Sequence, residues 1–231
     1  MLVSVIIPAL NEAAHIGDCI RAARRHYADD EVEIIVVDGG STDGTPQRVP
    51  PDVRVVHSER GRAVQMNRGA EAANGDILLF CHADTHLPEG WRAPVIEVLQ
   101  QPTVSGGAFQ VTYDPPRGIL HLVNWIRFRG NWRAVHGDRA QFTTRETFHA
   151  LGGFPEIPLM EDIELSRALH QRGDLVLLPQ RVITSSRRFL ENGPLRQYCL
   201  SVWLMFRYLY LGATPEEIAK AYRSSRERVL S

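Results

Sequence analysis

The chain has 231 residues, 44% of them apolar and 23% charged, with a formal net charge of −1. That is room for one sizeable α/β domain of ordinary globular composition, and it excludes a nucleic-acid binder working through a strongly basic surface. Lys220 is the single lysine, which excludes a P-loop and argues against a Schiff-base nucleophile.

The first segment, MLVSVIIPALNE, has no charged leader before its short apolar run. It is therefore expected to be a first strand, Val3 to Ile7, and not a signal peptide. Asn11-Glu12 is expected to open a helix reaching about Tyr27, with Ala13, Ile16, Ile20 and Ala23 on its inner face. Glu33 to Val37 reads as a second buried strand ending at Asp38. The loop Asp38-Gly39-Gly40-Ser41-Thr42-Asp43-Gly44-Thr45 that follows is crowded with residues suited to unusual dihedrals or helix capping. Arg54 to His57 gives a third strand. A helix from Gly61 with Ala63, Met66, Ala70 and Ala73 at helical spacing leads to the stop Asn74-Gly75 and the apolar run Ile77 to Phe80. A helix near Trp91 to Gln100 completes a half in which strand and helix alternate, the pattern of a parallel sheet with right-handed crossovers.

Beyond it, Ala108 to Tyr113 reads as a strand, Ile119 to Phe128 as an amphipathic helix, Gln141 to Thr144 as a strand and Glu146 to Leu151 as a helix. Glu161 to Gln171 is a helix stopped by Gly173, and Leu175 to Leu178 a further strand. Two helices follow Pro194, the second opened by a Thr214–Glu217 capping box. Tyr198 to Leu211 is too short to span a bilayer and is interrupted by Arg207. Packing under the sheet is the plain reading of that stretch. A homodimer interface or peripheral membrane contact is the sharper one, through Trp203, Phe206, Tyr208 and Tyr210. Cys19, Cys81 and Cys199 lack zinc or redox spacing, which suits a reducing, cytoplasmic compartment, and the membrane contact of Tyr198 to Leu211 would then lie at the inner membrane surface.

Ligands of open α/β sheets bind beyond the carboxyl ends of the strands. His82-Ala83-Asp84 lies there, after Ile77 to Phe80, and if strand geometry persists the two side chains face one point. One carboxylate at such a point suits Mg²⁺, which keeps waters and takes phosphate oxygens; the competing reading of Asp84 is a turn residue before Pro88. Asp38 could accept hydrogen bonds from a base or ribose, with Gly39 and Gly40 admitting close backbone approach, or these residues simply form a turn. Glu161-Asp162 at a helix start is either a pair of dipole partners or a general base with its tuning neighbour. Arg187-Arg188 is either a solvated pair or a diphosphate clamp. His136, ahead of Gly137-Asp138, is a further candidate metal ligand.

Together SVIIPALNEAAHI, VVDGGSTDGT, GDILLFCHADT, LGGFPE, EDIELSRAL and SSRRF resemble the family 2 glycosyltransferases of the GT-A fold, from Val3 to about Phe189. The resemblance implies one GT-A domain. Its nucleotide-binding half would take residues 1–85, its acceptor and catalytic half residues 105–190, and C-terminal helices residues 195–231. It implies an inverting transfer from a nucleotide-diphosphate sugar, UDP- or GDP-linked, with Mn²⁺ or Mg²⁺, to an acceptor that the resemblance does not name. By position Pro8, Ala9, Asn11, Glu12, Asp38, Gly39, Gly40 and Arg62 would line the nucleotide. Asp84 would match the metal aspartate of the DxD motif and Asp162 the catalytic base, with Glu161 beside it. His82 stands where the first aspartate of DxD is usual, and imidazole there suits Mn²⁺ better than Mg²⁺. The brevity and the HADT variant look closest to a small bacterial branch associated with radical-SAM and selenodomain genes and with arsenosugar synthesis. Two alternatives stand beside this reading. One is a nucleotide-sugar-binding module without turnover. The other is a sugar-nucleotide pyrophosphorylase, whose glycine-rich, lysine-bearing loop PALNEAAHI lacks.

Overall fold

Seven-residue apolar runs at Val3–Ala9 (β1) and Val32–Asp38 (β2) pair in parallel from Val3↔Val32 to Ala9↔Asp38. Each is buried on both faces, so near-continuous Val and Ile replace the alternation of a half-exposed strand. Arg54–His57 (β3) and Ile77–Phe80 (β4) extend this parallel block on either side. The structure, a computed structural model, describes residues 1–125 and 137–230.

Past β4 the sheet changes character. Val104–Asp114 (β6) and Gln141–Thr144 (β7) join it after the two-residue Thr85–His86 (β5), and Asp174–Ser185 (β8) closes it. The order among the described residues is β3-β2-β1-β4-β7-β6-β8-β5. β7 runs antiparallel to both β4 and β6, β5 runs antiparallel to β8, and β6 and β8 are parallel. The α/β expectation holds, with a parallel half fused to a mixed one.

Helices cover both faces. Ile16–Arg24 (α1) and Arg92–Leu99 (α3) lie over the side formed by Val3, Val5 and Ile7. Arg62–Ala72 (α2), Arg145–Ala150 (α5) and Glu161–Arg172 (α6) cover the side of Ile6, Ile35 and Leu78. Ile119–Trp125 (α4) packs on β6; Phe128, included in the expected helix, lies outside the described residues. Arg187–Asn192 (α7), Pro194–Tyr210 (α8) and Pro215–Leu230 (α9) finish the chain. The Thr214–Glu217 capping box is present, each residue's side chain accepting from the other's backbone N–H at 3.3 and 3.0 Å.

Four sequence expectations need correction. The first helix begins at Ile16, not Asn11, because Asn11 takes a left-handed φ of 56° and its turn is held by the second loop. β6 begins at Val104 because Gly106 and Gly107 belong to it, and a Cβ at Gly107 would stand 2.4 Å from the Val176 carbonyl of β8. β8 runs on to Ser185, its register skipping Pro179 and Gln180 as a bulge. Finally α8 does not pack under the sheet: Val202, Trp203, Phe206 and Tyr210 are exposed.

One contact fixes the height of α2 above the sheet. A Cβ at Gly69 would approach Ile6 Cγ2 to 2.4 Å and Val37 Cγ2 to 2.9 Å. Gly69→Ala gains about 1 kcal/mol of helix propensity but overpacks this seam, at a cost of about 1–3 kcal/mol. A lowered urea midpoint at unchanged m-value is the expected result. An unchanged or raised midpoint would show that α2 can lift without cost.

Candidate active site

The loops beyond β1 and β2 are knitted by their own polar groups. Asn11 N donates to Ser41 Oγ at 2.9 Å, Thr42 N to Asn11 Oδ1 at 2.9 Å, Glu12 N to Thr45 Oγ1 at 2.8 Å and Ala13 N to Asp43 Oδ2 at 2.9 Å. Asp38 is buried and accepts from Gly40 N and Ser41 N at 3.2 Å, with exposed His57 Nδ1 3.6 Å away. Gln65 Nε2 donates at 2.8 Å to the carbonyls of both Ala9 and Val37, tying the two strand ends together. A Cβ on Gly39 would meet that amide at 2.9 Å, and Gly40 has a φ of 87°. Pro8, half-buried, ends the same strand tip.

His82 and Asp84 do line one cavity, but not by strand alternation. β4 ends at Phe80, and Thr85 N donates to the His82 carbonyl at 3.0 Å, closing a turn. β5 then docks on β8 with Thr85 Oγ1 and Thr184 Oγ1 2.9 Å apart, and Ser185 N donates to the Asp84 carbonyl at 3.1 Å. This brings Asp84 beside the start of α7. Burial, then Arg62, pushes the His82 imidazole below its usual pKa against the pull of Asp138 and Asp84, and so favours the neutral ring.

The two residues that open α6 have different surroundings. Asp162 Oδ2 accepts from Gly137 N at 2.6 Å and Oδ1 from its own helix's Ile163 N at 2.9 Å, which aims the carboxylate across the cavity. A Cβ at Gly137 would lie 3.0 Å from His82 Nε2 and 3.2 Å from Asp162 Oδ2, so glycine there lets both groups approach. Glu161, 1% exposed, takes an ion pair from Arg62 Nε across the cleft. Burial raises the Glu161 pKa and Asp162 adds to it, while Arg62 opposes. Burial works against the Arg62 charge, but Glu161 and Asp162 more than offset it and hold Arg62 above the usual arginine range.

The paired arginines divide. Arg187 Nη2 reaches Glu12 Oε1 and Oε2 at 3.0 and 3.2 Å, so these two expected donor contacts bind each other. Burial raises the Glu12 pKa, Arg187 lowers it, and Asp84 raises it further. Arg188 instead lines a cavity of about 710 Å³ with Arg62, His82, Asp84, Asp138 and Asp162. Asp138 and Tyr113 were not singled out from the sequence. Tyr113 Oη donates to Asp138 Oδ2 at 2.9 Å, and burial followed by that aspartate holds the phenol pKa well up. His136 lies outside the described residues.

For a divalent cation the fit is of one kind only. Among the described residues no group of three or more His, Cys, Asp and Glu side chains converges to hold a metal. Asp84 lines the cavity as a carboxylate and His82 Nε2 is buried without a hydrogen-bond partner. That donor set suits an ion that takes its remaining ligands from water and a diphosphate, not a protein-caged one.

The sequence pattern of glycosyl transferase family 2 matches residues 4–154. The chain is 27% identical over 195 residues to a beta-monoglucosyldiacylglycerol synthase of Synechocystis, covering 73% of this chain and 40% of that protein. It is 28% identical over 196 residues to the succinoglycan biosynthesis protein ExoA of Rhizobium meliloti, covering 73% and 58%. The chain thus spans about half the length of these relatives. Among solved structures it is similar to S. aureus TarS 1-349 in complex with UDP-GlcNAc, with a TM-score of 0.66, 16% identity and coverage of 80% and 58%. A second is the mannosyltransferase PcManGT of Pyrobaculum calidifontis with GDP-Man and Mn²⁺, with a TM-score of 0.62, 22% identity and coverage of 96% and 73%. At these identities the structural likeness shows the fold.

Arg62 and Glu161 are 99 residues apart and hold the two halves of the cleft together. Glu161→Gln leaves a partly buried guanidinium without its counter-charge, and should cost about 1–3 kcal/mol in urea unfolding. Arg62→Met combined with Glu161→Gln should cost less than the sum of the single changes. Additive losses would show that the pair contributes nothing as a pair.

Proposed function

The chain belongs to glycosyl transferase family 2, and from that membership we propose an inverting, metal-dependent transfer of a sugar from a UDP- or GDP-sugar to an acceptor hydroxyl. The observation that carries the reading is the Asp162 carboxylate, fixed by two backbone N–H groups on a cavity wall that Asp84 and Arg188 share. The named donors of two structures of similar fold, UDP-GlcNAc and GDP-Man with Mn²⁺, support a nucleotide-sugar donor and a divalent ion.

In this reading the reaction is one displacement. An acceptor hydroxyl gives its proton to Asp162 as its oxygen bonds to the anomeric carbon. The bond from that carbon to the diphosphate oxygen breaks on the opposite face, and the electron pair leaves with the nucleotide diphosphate. Arg188 supplies a positive charge to the leaving group, and Arg62 faces the same space while anchored on Glu161. A cation held by Asp84, with His82 as a second candidate ligand, offsets charge on the departing diphosphate when bound. Pro8, Ala9, Asn11, Glu12, Asp38, Gly39 and Gly40 lie at the ends of β1 and β2 and in the loops that follow, outside the lining of the Asp162 cavity, and there the nucleoside would bind; the Arg187–Glu12 pair ties the first of these loops to α7.

The HADT variant and the short acceptor half support placement in the radical-SAM and selenodomain-associated branch. The acceptor class is not set by the relatives, one named for a diacylglycerol lipid and another for succinoglycan biosynthesis.

Two substitutions separate donor binding from chemistry. Asp84→Ala should abolish Mn²⁺-dependent UDP or GDP binding in calorimetry without unfolding the chain, and unchanged affinity would remove Asp84 from the metal site. Asp162→Asn should keep donor affinity near wild type and lower the single-turnover rate by roughly 10²–10⁴-fold. A wild-type rate in that variant would place the base elsewhere. Absence of nucleotide release with any donor, together with tight donor binding, would favour the binding module.

A further inference from the structure

α8 has two differently used faces. Gln197, Leu200, Leu204 and Tyr208 recur at helical spacing on the inner one. Leu204 and Leu200 pack with Leu159, Met160 and α9, and Tyr208 Oη donates to Glu164 Oε1 of α6 at 2.6 Å. The other face is open: Trp203 is 53% exposed, Phe206 43% and Tyr210 59%. Their rings form a ladder, with centroids 5.9 Å apart between Trp203 and Phe206 and 5.2 Å between Phe206 and Tyr210.

This outer face is continuous with the cavity holding Asp162. Tyr198 and Val202 line that cavity together with Met205, Tyr210 and Val123. The same Tyr198 and Val202 line a surface groove of about 430 Å³ with Cys199, Trp203 and Phe206. An apolar track thus leads from the cavity that Asp84 and Asp162 line, past Tyr198 and Val202 on α8, to the exposed ladder. A water-soluble sugar acceptor has no use for such a track, whereas an alkyl chain can leave the cavity along it. The charge on the helix agrees: Pro194 to Tyr210 carries Arg196 and Arg207 and no acidic residue, in a chain of net charge −1. Cationic and aromatic side chains on one partly apolar helix are the composition of an element that lies in a lipid headgroup layer. No helix among the described residues is long and apolar enough to cross a membrane.

We propose that the outer face of α8 rests on an anionic lipid surface and that the acceptor is an amphipathic molecule whose alkyl chain leaves the cavity past Tyr198 and Val202. The acceptor part rests on the glycosyl-transfer reading; the surface contact does not.

The test uses the full chain and three readouts. Flotation with vesicles of phosphatidylglycerol and phosphatidylethanolamine should recover the wild type at low salt. Trp203→Ser with Phe206→Ser should lower the bound fraction at least about tenfold, because two aromatic anchors are lost from the lipid contact. Trp203→Ser alone replaces the double variant if circular dichroism shows that the latter is unfolded. Calorimetry with n-alkyl β-D-glucosides, hexyl to nonyl, should show affinity rising roughly fourfold per methylene. No flotation, flotation unaffected by the substitutions, or affinity independent of chain length each overturns the proposal. So does sedimentation that finds a dimer split by Trp203→Ser, since α8 would then face a second copy. Binding of UDP or GDP with Mn²⁺, measured alongside, reads the transfer hypothesis separately. Its loss with flotation intact strikes that hypothesis, and its survival without flotation strikes only this one.

Discussion

Arg62 and Glu161 meet across the cleft and tie its two sides together. Arg62 starts α2 in the parallel half of the sheet, and Glu161 starts α6 in the mixed half. A carboxylate this buried needs a partner, since desolvation alone would push it toward the neutral form. With the pair formed, the first turn of α6 is pinned, and Asp162, the next residue, lines the cavity and meets Gly137 N. There Gly137 supplies an N–H at a point where a Cβ would crowd His82 and Asp162. Adjacent acids thus serve two purposes that their adjacency in sequence does not reveal.

Most of the parallel half was legible because β1, β2 and β4 are covered on both faces and so read as nearly continuous apolar runs; β3, at the edge, is more polar. The same rule failed where glycines or a bulge break the run, as at Gly106-Gly107 and Pro179-Gln180, although β6 and β8 pair at both glycines and resume pairing at Arg181 beyond the bulge. Strand-end positions for His82, Asp84 and Asp38 were also readable, because the topology of such sheets puts ligands there, and the 161–162 pair was readable as a helix start. The partners they choose were not. Arg187 turning to Glu12 while Arg188 faces the cavity depends on the short α7, and no local signal marks which of two consecutive arginines will be spent on an ion pair. Asp138 and Tyr113 come from separate elements joined only by the fold.

The aromatic stretch on α8 shows a different limit. Its composition is compatible with a core helix, and the count of apolar residues alone favours that place. Their phase decides otherwise. Leu200, Leu204 and Tyr208 fall on the stripe that faces α6 and α9, and Trp203, Phe206 and Tyr210 fall between. A stripe four residues in repeat buries only its own members, so the surplus aromatics stay outside however apolar the segment is.

That phase has a consequence for chemistry. The inner stripe of α8 packs on Leu159 and Met160, the residues immediately before Glu161-Asp162, and Met160 holds a left-handed φ of 75°. Few side chains other than glycine rest in that region without support from their surroundings. Here the support includes α8 itself, with Tyr208 bonded to Glu164 one turn into α6. The helix that presents an aromatic face to the outside is therefore the helix that seats the turn carrying the carboxylates. One layer of side chains, Leu200 and Leu204 against Leu159 and Met160, separates the outer face from the Met160 turn. The site and the outer face of α8 are thus joined by one packed layer.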